Sequence, residues 1–164
     1  MSKLLRLTQI ESPIGPITIL QSNKGVMKIE YKQLDNYIND TESKNVAYEI
    51  ISPEVSTAAK QITEYFNGLR KTFDVSLDIA GTDFQKKVWQ AMLTIPFGHP
   101  LTYKDIAIKV GSPKGCRAVG QACGANPIPI IIPCHRVVGA NNSMGGYSGG
   151  IHIKQYLLSF ESKF

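Results

Sequence analysis

The stretch NPIPIIIPCHRV, residues 126–137, is the most informative part of this chain. Prolines at positions 127, 129 and 133 interrupt its isoleucines, and proline cannot donate a hydrogen bond within a central sheet. The stretch is therefore predicted to form a rigid, irregular frame instead of an ordinary strand. It leads into Cys134 and His135, and a histidine or cationic neighbour stabilises the thiolate, which is the reactive form of cysteine. The alternative is a buried, inert cysteine, since free cysteine is often buried.

The segment that follows the frame is rich in glycine and asparagine. Residues 139–150 are predicted to form a loop suited to closing over a small ligand. Gly145 and Gly146 leave space where side chains would crowd a ligand, and Pro129 offers a flat apolar wall. These features predict a pocket that admits a group as large as benzyl, although the paired glycines could equally serve only the geometry of a turn.

Two short helices are predicted before the frame. Thr82 and Gln85 form a capping box for a preceding helix, which ends near residues 95–98. Thr102 then caps a helix over 103–110, and Ser112-Pro113 is predicted to start a second helix that ends near 123–124. Two short helices joined by a glycine-containing turn form a helix-turn-helix pattern.

The second of these helices carries small residues around a single arginine. A helix that reads bases in the major groove normally presents several long polar side chains. Small side chains suit a close approach to a backbone or to the narrower minor groove, but a tightly packed internal helix is an equal alternative. The candidate DNA-binding residues are Lys114, Arg117, Ala118, Gly120, Gln121 and Ala122.

The remaining elements complete a two-lobed, α+β prediction. Strands are predicted at 3–11, 17–21 and 26–31, a loop at 32–47, and a helix from Ser52-Pro53 to 67–68. A final helix over 151–161 is predicted to bury Ile153, Leu157 and Phe160. The lobes are predicted to cover residues 1–78 and 79–164.

Composition limits the class of protein. The 164 residues are 43% hydrophobic and 19% charged, as in globular proteins. No apolar run approaches the about 18 residues of a membrane span, and the first twenty residues lack the order of a signal peptide. We therefore expect a cytoplasmic protein. The net charge of +5 permits binding to a polyanion but does not establish it.

The cysteines do not predict a disulfide or a metal site. Cys116 and Cys123 are seven residues apart on one predicted helix, about 10 Å along its axis, which is too far for a disulfide. They are interpreted as packing residues. The spacing of cysteine and histidine does not suit zinc, and no cofactor is expected.

The motifs together resemble the O6-alkylguanine-DNA alkyltransferase family. The pentapeptide Pro-Cys-His-Arg-Val at 133–137 resembles the active-site motif of that family. Further matches occur in the expected order across residues 80–164, at 102–103, 117–120, 126–127, 147–150 and 157–161. The first lobe matches only in its strand-turn-strand character around 12–19.

The resemblance implies a fold and an activity. It implies an N-terminal ribonuclease-H-like α/β lobe and a C-terminal winged-helix-like domain whose helix-turn-helix enters the minor groove. The partner would be double-stranded DNA that carries O6-alkylguanine, bound with little sequence preference by a monomer. The alkyl group would move irreversibly to Cys134, once per molecule, after the damaged base has been flipped out.

The resemblance also implies roles for individual residues. His135 would act as a base through a water, Glu161 would hold its imidazole, and Asn126 would brace the surrounding loops. Tyr103 would hydrogen-bond the departing guanine, and Arg117 would fill the space left by the flipped base. The expected pocket residues are Pro129, Val137, Gly145, Gly146, Tyr147 and Ser148.

Two other functions fit parts of the pattern. Related alkyltransferase-like proteins bind the same lesion without a cysteine, and the cysteine at position 134 argues against that reading. A cysteine hydrolase using Cys134 and His135 would turn over repeatedly, whereas alkyl transfer would occur once.

Overall fold

The computed structural model describes residues 4–41 and 46–164. They form two compact units, one ending at Ile79 and the other covering Ala80–Phe164. Lys3, at the start of the first predicted strand, and residues 42–45 of the predicted loop lie outside the described residues. No helix in the described part of the chain is both long and apolar enough to cross a membrane.

The first unit is built on a four-stranded sheet. The three predicted strands are confirmed to within one residue at each end. The strands are β1 (Leu4–Ile10), β2 (Ile17–Gln21), β3 (Val26–Glu30) and β4 (Ala47–Ile50). Strands β1 and β2 pair antiparallel, as do β2 and β3, while β4 pairs parallel to β1, which gives the order β3-β2-β1-β4.

The prediction of a loop over 32–47 was wrong. This segment contains helix α1 (Leu34–Asp40) and leads into β4. Tyr37 of α1 is buried in a cluster with Leu5 and Leu7, and Leu34 and Ile38 pack against the same cluster. Apolar residues at this helical spacing stabilise a helix of only seven residues through packing, despite its polar composition.

The start of the next helix was also predicted too early. Ser52-Pro53 begins only a short 3-10 turn, Pro53–Val55. Helix α2 (Thr57–Phe66) begins after Ser56, whose hydroxyl accepts a hydrogen bond from the amide of Ala59 at 3.2 Å. Ser56 is therefore the N-cap, and its side chain satisfies one of the free amides at the start of this helix.

The second unit is mainly helical. The capping box predicted at Thr82 and the N-cap predicted at Thr102 are confirmed, and Asp105 completes a second capping box with Thr102. A two-residue parallel strand pair accompanies the helices. The elements are α3 (Asp83–Leu93), β5 (Leu101–Thr102), α4 (Tyr103–Lys109), α5 (Cys116–Gly124), β6 (Val137–Val138) and α6 (Ile151–Glu161).

Two details of these helices differ from the sequence predictions. Helix α5 does not start at Ser112-Pro113, because a turn closes there with the Gly115 amide donating to the Ser112 carbonyl at 2.8 Å. Helix α6 has the predicted bounds, but Phe160 is only half-buried. Its buried face instead carries two charged residues, Lys154 and Glu161.

Trp89 links α3 to α5 through a hydrogen bond. Its ring is buried, and Nε1 donates to the Ala122 carbonyl at 2.9 Å. The assignment of Ala122 to a DNA-contacting surface was wrong, because its side chain packs into the core. The exposed residues of α5 include Arg117, Ala118 and Gln121.

Candidate active site

The segment before Cys134 is irregular, as predicted. Ile130 has a positive φ of 73°. The side chain of Asn126 ties the segment together, because Nδ2 donates to the Ile132 carbonyl at 2.8 Å while Oδ1 accepts from the Ile128 amide at 3.0 Å. The segment ends in the 3-10 turn Cys134–Arg136.

Cys134 lies in the wall of a cavity of about 730 Å³. This volume is in the range of small-molecule sites, roughly 300–1,000 Å³. Of the site residues predicted from the sequence, the cavity is lined by Tyr103, Arg117, Gly120, Gln121, Cys134, Gly146, Tyr147 and Ser148. Its wall also contains Cys116, Cys123 and Gly124, which were not predicted to line it. Cys116 is exposed, so its interpretation as a packing residue was wrong.

Several predicted pocket residues do not line this cavity. Val137 is fully buried, and Pro129 is absent from the lining. Gly145 is also absent from the lining and lies against Tyr103. A Cβ on Gly145 would lie 2.7 Å from the Tyr103 hydroxyl, and its φ of +66° favours glycine. Gly145 therefore allows close packing on Tyr103, and does not provide space for a ligand.

Behind Cys134, a buried carboxylate joins two neighbouring side chains. Glu161 Oε1 lies 2.7 Å from His135 Nε2. Arg136 Nε donates to Glu161 Oε2 at 2.9 Å, and Nη2 donates to Oε1, also at 2.9 Å. The Gly98 amide donates to Oε2 at 3.2 Å. His135 Nδ1 has no hydrogen-bond partner among the described residues.

Burial and hydrogen bonding shift the titration of these groups in opposite directions. Burial alone would raise the pKa of Glu161, but hydrogen bonds from His135 and Arg136 outweigh it and lower the pKa to about 2. Burial lowers the pKa of His135, although its bond to Glu161 partly offsets this. His135 is therefore neutral at pH 7, with Nδ1 available to accept a proton.

The Cys134 thiol is protonated at rest. Burial raises its pKa above the ordinary value of 9.0. Hydrogen bonding to Asn126, the positive charge of Lys154 and hydrogen bonding to Tyr147 act in the opposite direction. The site must therefore remove the thiol proton during reaction and cannot rely on a standing thiolate.

Two residues of this site were missed at the sequence level. Arg136 is part of the quoted stretch but was given no role. Lys154 is fully buried, and its spacing to Leu157 and Glu161 places all three on one face of α6. In the sequence, a lysine on the same helix face as apolar residues was the signal that could have identified Lys154 as a buried site residue.

Family models match both units. The 6-O-methylguanine DNA methyltransferase ribonuclease-like domain matches residues 5–79, and the DNA binding domain of the same family matches 83–163. The methylated-DNA–protein-cysteine methyltransferase of Methanosarcina barkeri is 43% identical over 93% of this chain and 94% of that protein. The constitutive enzyme of Bacillus subtilis is 42% identical over 94% of this chain and 93% of that protein.

Solved structures show the same fold. Mycobacterium tuberculosis OGT in complex with DNA has a TM-score of 0.84 and 41% identity, covering 96% of this chain and 93% of that chain. O6-methylguanine-DNA methyltransferase from Pyrococcus kodakaraensis, at 24% identity and a TM-score of 0.66, shares the fold. The ribonuclease-like first unit and the helical second unit are thus both confirmed, and the chain belongs to the 6-O-methylguanine DNA methyltransferase family.

Proposed function

We propose that this protein repairs double-stranded DNA by moving an alkyl group from O6 of guanine to Sγ of Cys134. One observation carries the proposal: Cys134 lies in the wall of a cavity of about 730 Å³, directly before a buried histidine–glutamate pair. The names of the relatives, which describe methylated DNA and a protein cysteine, supply the substrate class. In this proposal the unit that ends at Ile79 is the ribonuclease-H-like lobe, the unit Ala80–Phe164 binds DNA and receives the alkyl group, and the protein acts as a cytoplasmic monomer.

The reaction is an in-line displacement at a saturated carbon. The sulfur electron pair forms the new S–C bond while the C–O6 bond breaks, and its electrons pass to guanine. His135 Nδ1 accepts the thiol proton through a water. The departing guanine takes up one proton, so the reaction neither gains nor loses a proton overall. Glu161 holds Nε2 and stabilises the imidazolium that forms. Asn126 braces the frame that carries the cysteine.

The target atom lies inside the base stack, so the damaged nucleotide must be flipped out at a cost of roughly a few kcal/mol. Arg117 is exposed at the cavity wall, where its side chain can fill the space left in the duplex. The small side chains of Ala118 and Gly120 allow α5 to approach the minor groove closely, while Gln121 is exposed on the same helix and Lys114 contacts phosphate. Because phosphate contacts carry no sequence information, binding depends weakly on sequence.

Tyr103, Tyr147 and Ser148 surround the flipped base in the proposed complex. All three line the cavity with Cys134 and Gly146. Tyr103 hydrogen-bonds the departing guanine, which makes guanine a better leaving group. The product is a thioether at Cys134, so each molecule reacts once.

Intact mass spectrometry tests the proposal. After incubation with a duplex containing O6-methylguanine, we expect one added methyl, mapped to Cys134, and no more than one lesion repaired per protein molecule. Cys134→Ala should take up no methyl and still bind the duplex. Repeated turnover without a mass change would favour a cysteine hydrolase, and binding without transfer by the wild type would favour a lesion-binding protein.

A further inference from the structure

Lys154 is a buried charge that the proposed reaction does not yet use. Its side chain is fully buried on the inner face of α6. Nζ donates to the Val137 carbonyl at 2.7 Å and to the Gly146 carbonyl at 3.3 Å. Lysine is seldom buried completely unless it is paired, so these two bonds indicate a specific place for this ammonium group.

The two carbonyls belong to different segments of the chain at the site. Val137 directly follows the turn that carries Cys134, whereas Gly146 belongs to the loop and lines the cavity. One ammonium group therefore links the segment that bears the nucleophile to the loop that closes over it.

Tyr103 holds the same part of the loop from another side. Its hydroxyl hydrogen-bonds the backbone of Gly146, and its ring packs on Gly145. Lys154 Nζ lies 5.7 Å from the centre of the Tyr103 ring, a distance at which a cation is attracted to an aromatic face. The lysine, the tyrosine and the paired glycines thus form one packed unit beside the cavity.

The charge of Lys154 also acts on the thiols. It favours the ionised form of Cys134 and of Cys123, which lies in the same cavity wall. The other groups around this site that titrate or carry charge are Tyr103 on α4, Cys116 and Arg117 on α5, His135 and Arg136 in the turn, Tyr147 in the loop and Glu161 on α6. Arg136 and Glu161 largely neutralise each other through their paired hydrogen bonds. The exposed Arg117 also lines the cavity, but Lys154 is the cation whose charge acts to lower the pKa of Cys134, and the ion pairs described around the site do not give it a carboxylate partner.

We propose that Lys154 is a positioning residue for alkyl transfer, which fixes the Gly146 wall against the nucleophile segment and supplies the positive charge that faces the forming thiolate. This inference rests on the proposed function. Both buried charged residues of α6 then act at the site. Glu161 holds the imidazole of His135, while Lys154 holds the Gly146 wall and supplies the positive charge.

The test compares Lys154→Met and Lys154→Arg with the wild type in the full chain. Lys163→Met, which removes an exposed lysine close to the end of the same helix, is the matched control. Iodoacetamide labelling of Cys134 is followed across pH by peptide mapping, which separates it from the exposed Cys116. Methyl transfer from an O6-methylguanine duplex is measured in parallel.

We expect Lys154→Met to label Cys134 about tenfold more slowly at neutral pH, with the midpoint of its pH profile moved upward, because an opposing charge nearby favours a thiolate. Lys154→Arg should restore the midpoint, and its methyl-transfer rate should fall between those of the wild type and Lys154→Met. Lys163→Met should match the wild type in both assays.

Two results would overturn the inference. One is a Lys154→Met profile with an unchanged midpoint, even if the protein melts at a lower temperature, since a purely structural lysine would give that result. The other is methyl transfer within twofold of the wild type. A wild type that takes no methyl from the duplex refutes the proposed function instead, and the labelling profiles still decide whether Lys154 acts on the sulfur.

Discussion

The ion pair between Arg136 and Glu161 should be one of the most important single interactions for the stability of the second unit. Their side chains are 7% and 1% exposed. Arg136→Met removes every hydrogen bond from Arg136 to Glu161 and the 2.8 Å bond from Nη1 to the Ile95 carbonyl. The buried carboxylate would keep His135 and the Gly98 amide as hydrogen-bonding partners but would lose its cation.

Removing one partner of a buried ion pair lowers the free energy of unfolding by about 3–5 kcal/mol. For a chain of this size, that corresponds to a fall in Tm of roughly 6–20 °C. Protonation of the stranded Glu161 would hold the loss near the lower end of that range. Thermal unfolding followed by far-ultraviolet circular dichroism measures it. The matched control is Arg70→Met, which breaks a partly exposed pair with Glu64 and should cost no more than about 1 kcal/mol.

A double variant separates charge from packing. Arg136→Met with Glu161→Leu removes both charges, so it should recover part of the stability lost by Arg136→Met alone. If Arg136→Met is as stable as the Arg70→Met control, the pair does not stabilise the protein as a buried ion pair, and the reasoning is refuted.

Three further predictions concern pH, DNA and substrate size. The pKa of Glu161 is lowered from 4.5 to about 2, so its contribution to the free energy of unfolding is present above pH 4.5 and is lost as the pH falls towards 2. Glu161→Gln should flatten this part of the stability–pH curve, which urea unfolding measures. Arg117→Ala should slow repair in duplex DNA far more than reaction with free O6-benzylguanine, which needs no flipping, and equal losses on both substrates would assign Arg117 to the fold or pocket. Free O6-benzylguanine should inactivate the wild type, because Gly146 leaves its side of the cavity open; a protein that resists the compound at high concentration while repairing methyl lesions has a narrower pocket than we infer.

The sequence predicted those features that depend on local chemistry. The capping box at Thr82, the N-cap at Thr102 and the ends of α6 follow from residues within a few positions of each other. The proline-rich frame was likewise predictable, because proline excludes an ordinary strand whatever surrounds it.

Features that depend on distant partners could not be predicted in this way. Helix α1 forms because Tyr37 packs on β1, whereas its own composition is that of a loop. Arg136 pairs with the carboxylate of Glu161, 25 residues later in the chain, and no short sequence pattern predicts that pairing. Gly145 and Gly146 are adjacent in sequence, yet only Gly146 lines the cavity, because Gly145 is turned towards Tyr103.

Trp89 gives the protein an internal optical reporter. It is the single tryptophan of the sequence, and its indole hydrogen-bonds to α5, the helix that brings Arg117 and Cys123 to the cavity. Indole emission responds to the polarity and hydrogen bonding around the ring. A small shift of α5 on DNA engagement, or after a group is added to Cys134, should therefore change the colour or intensity of the emission. Binding and reaction can then be timed separately in unlabelled protein, by mixing it in a stopped-flow fluorimeter with intact and with lesion-bearing duplex.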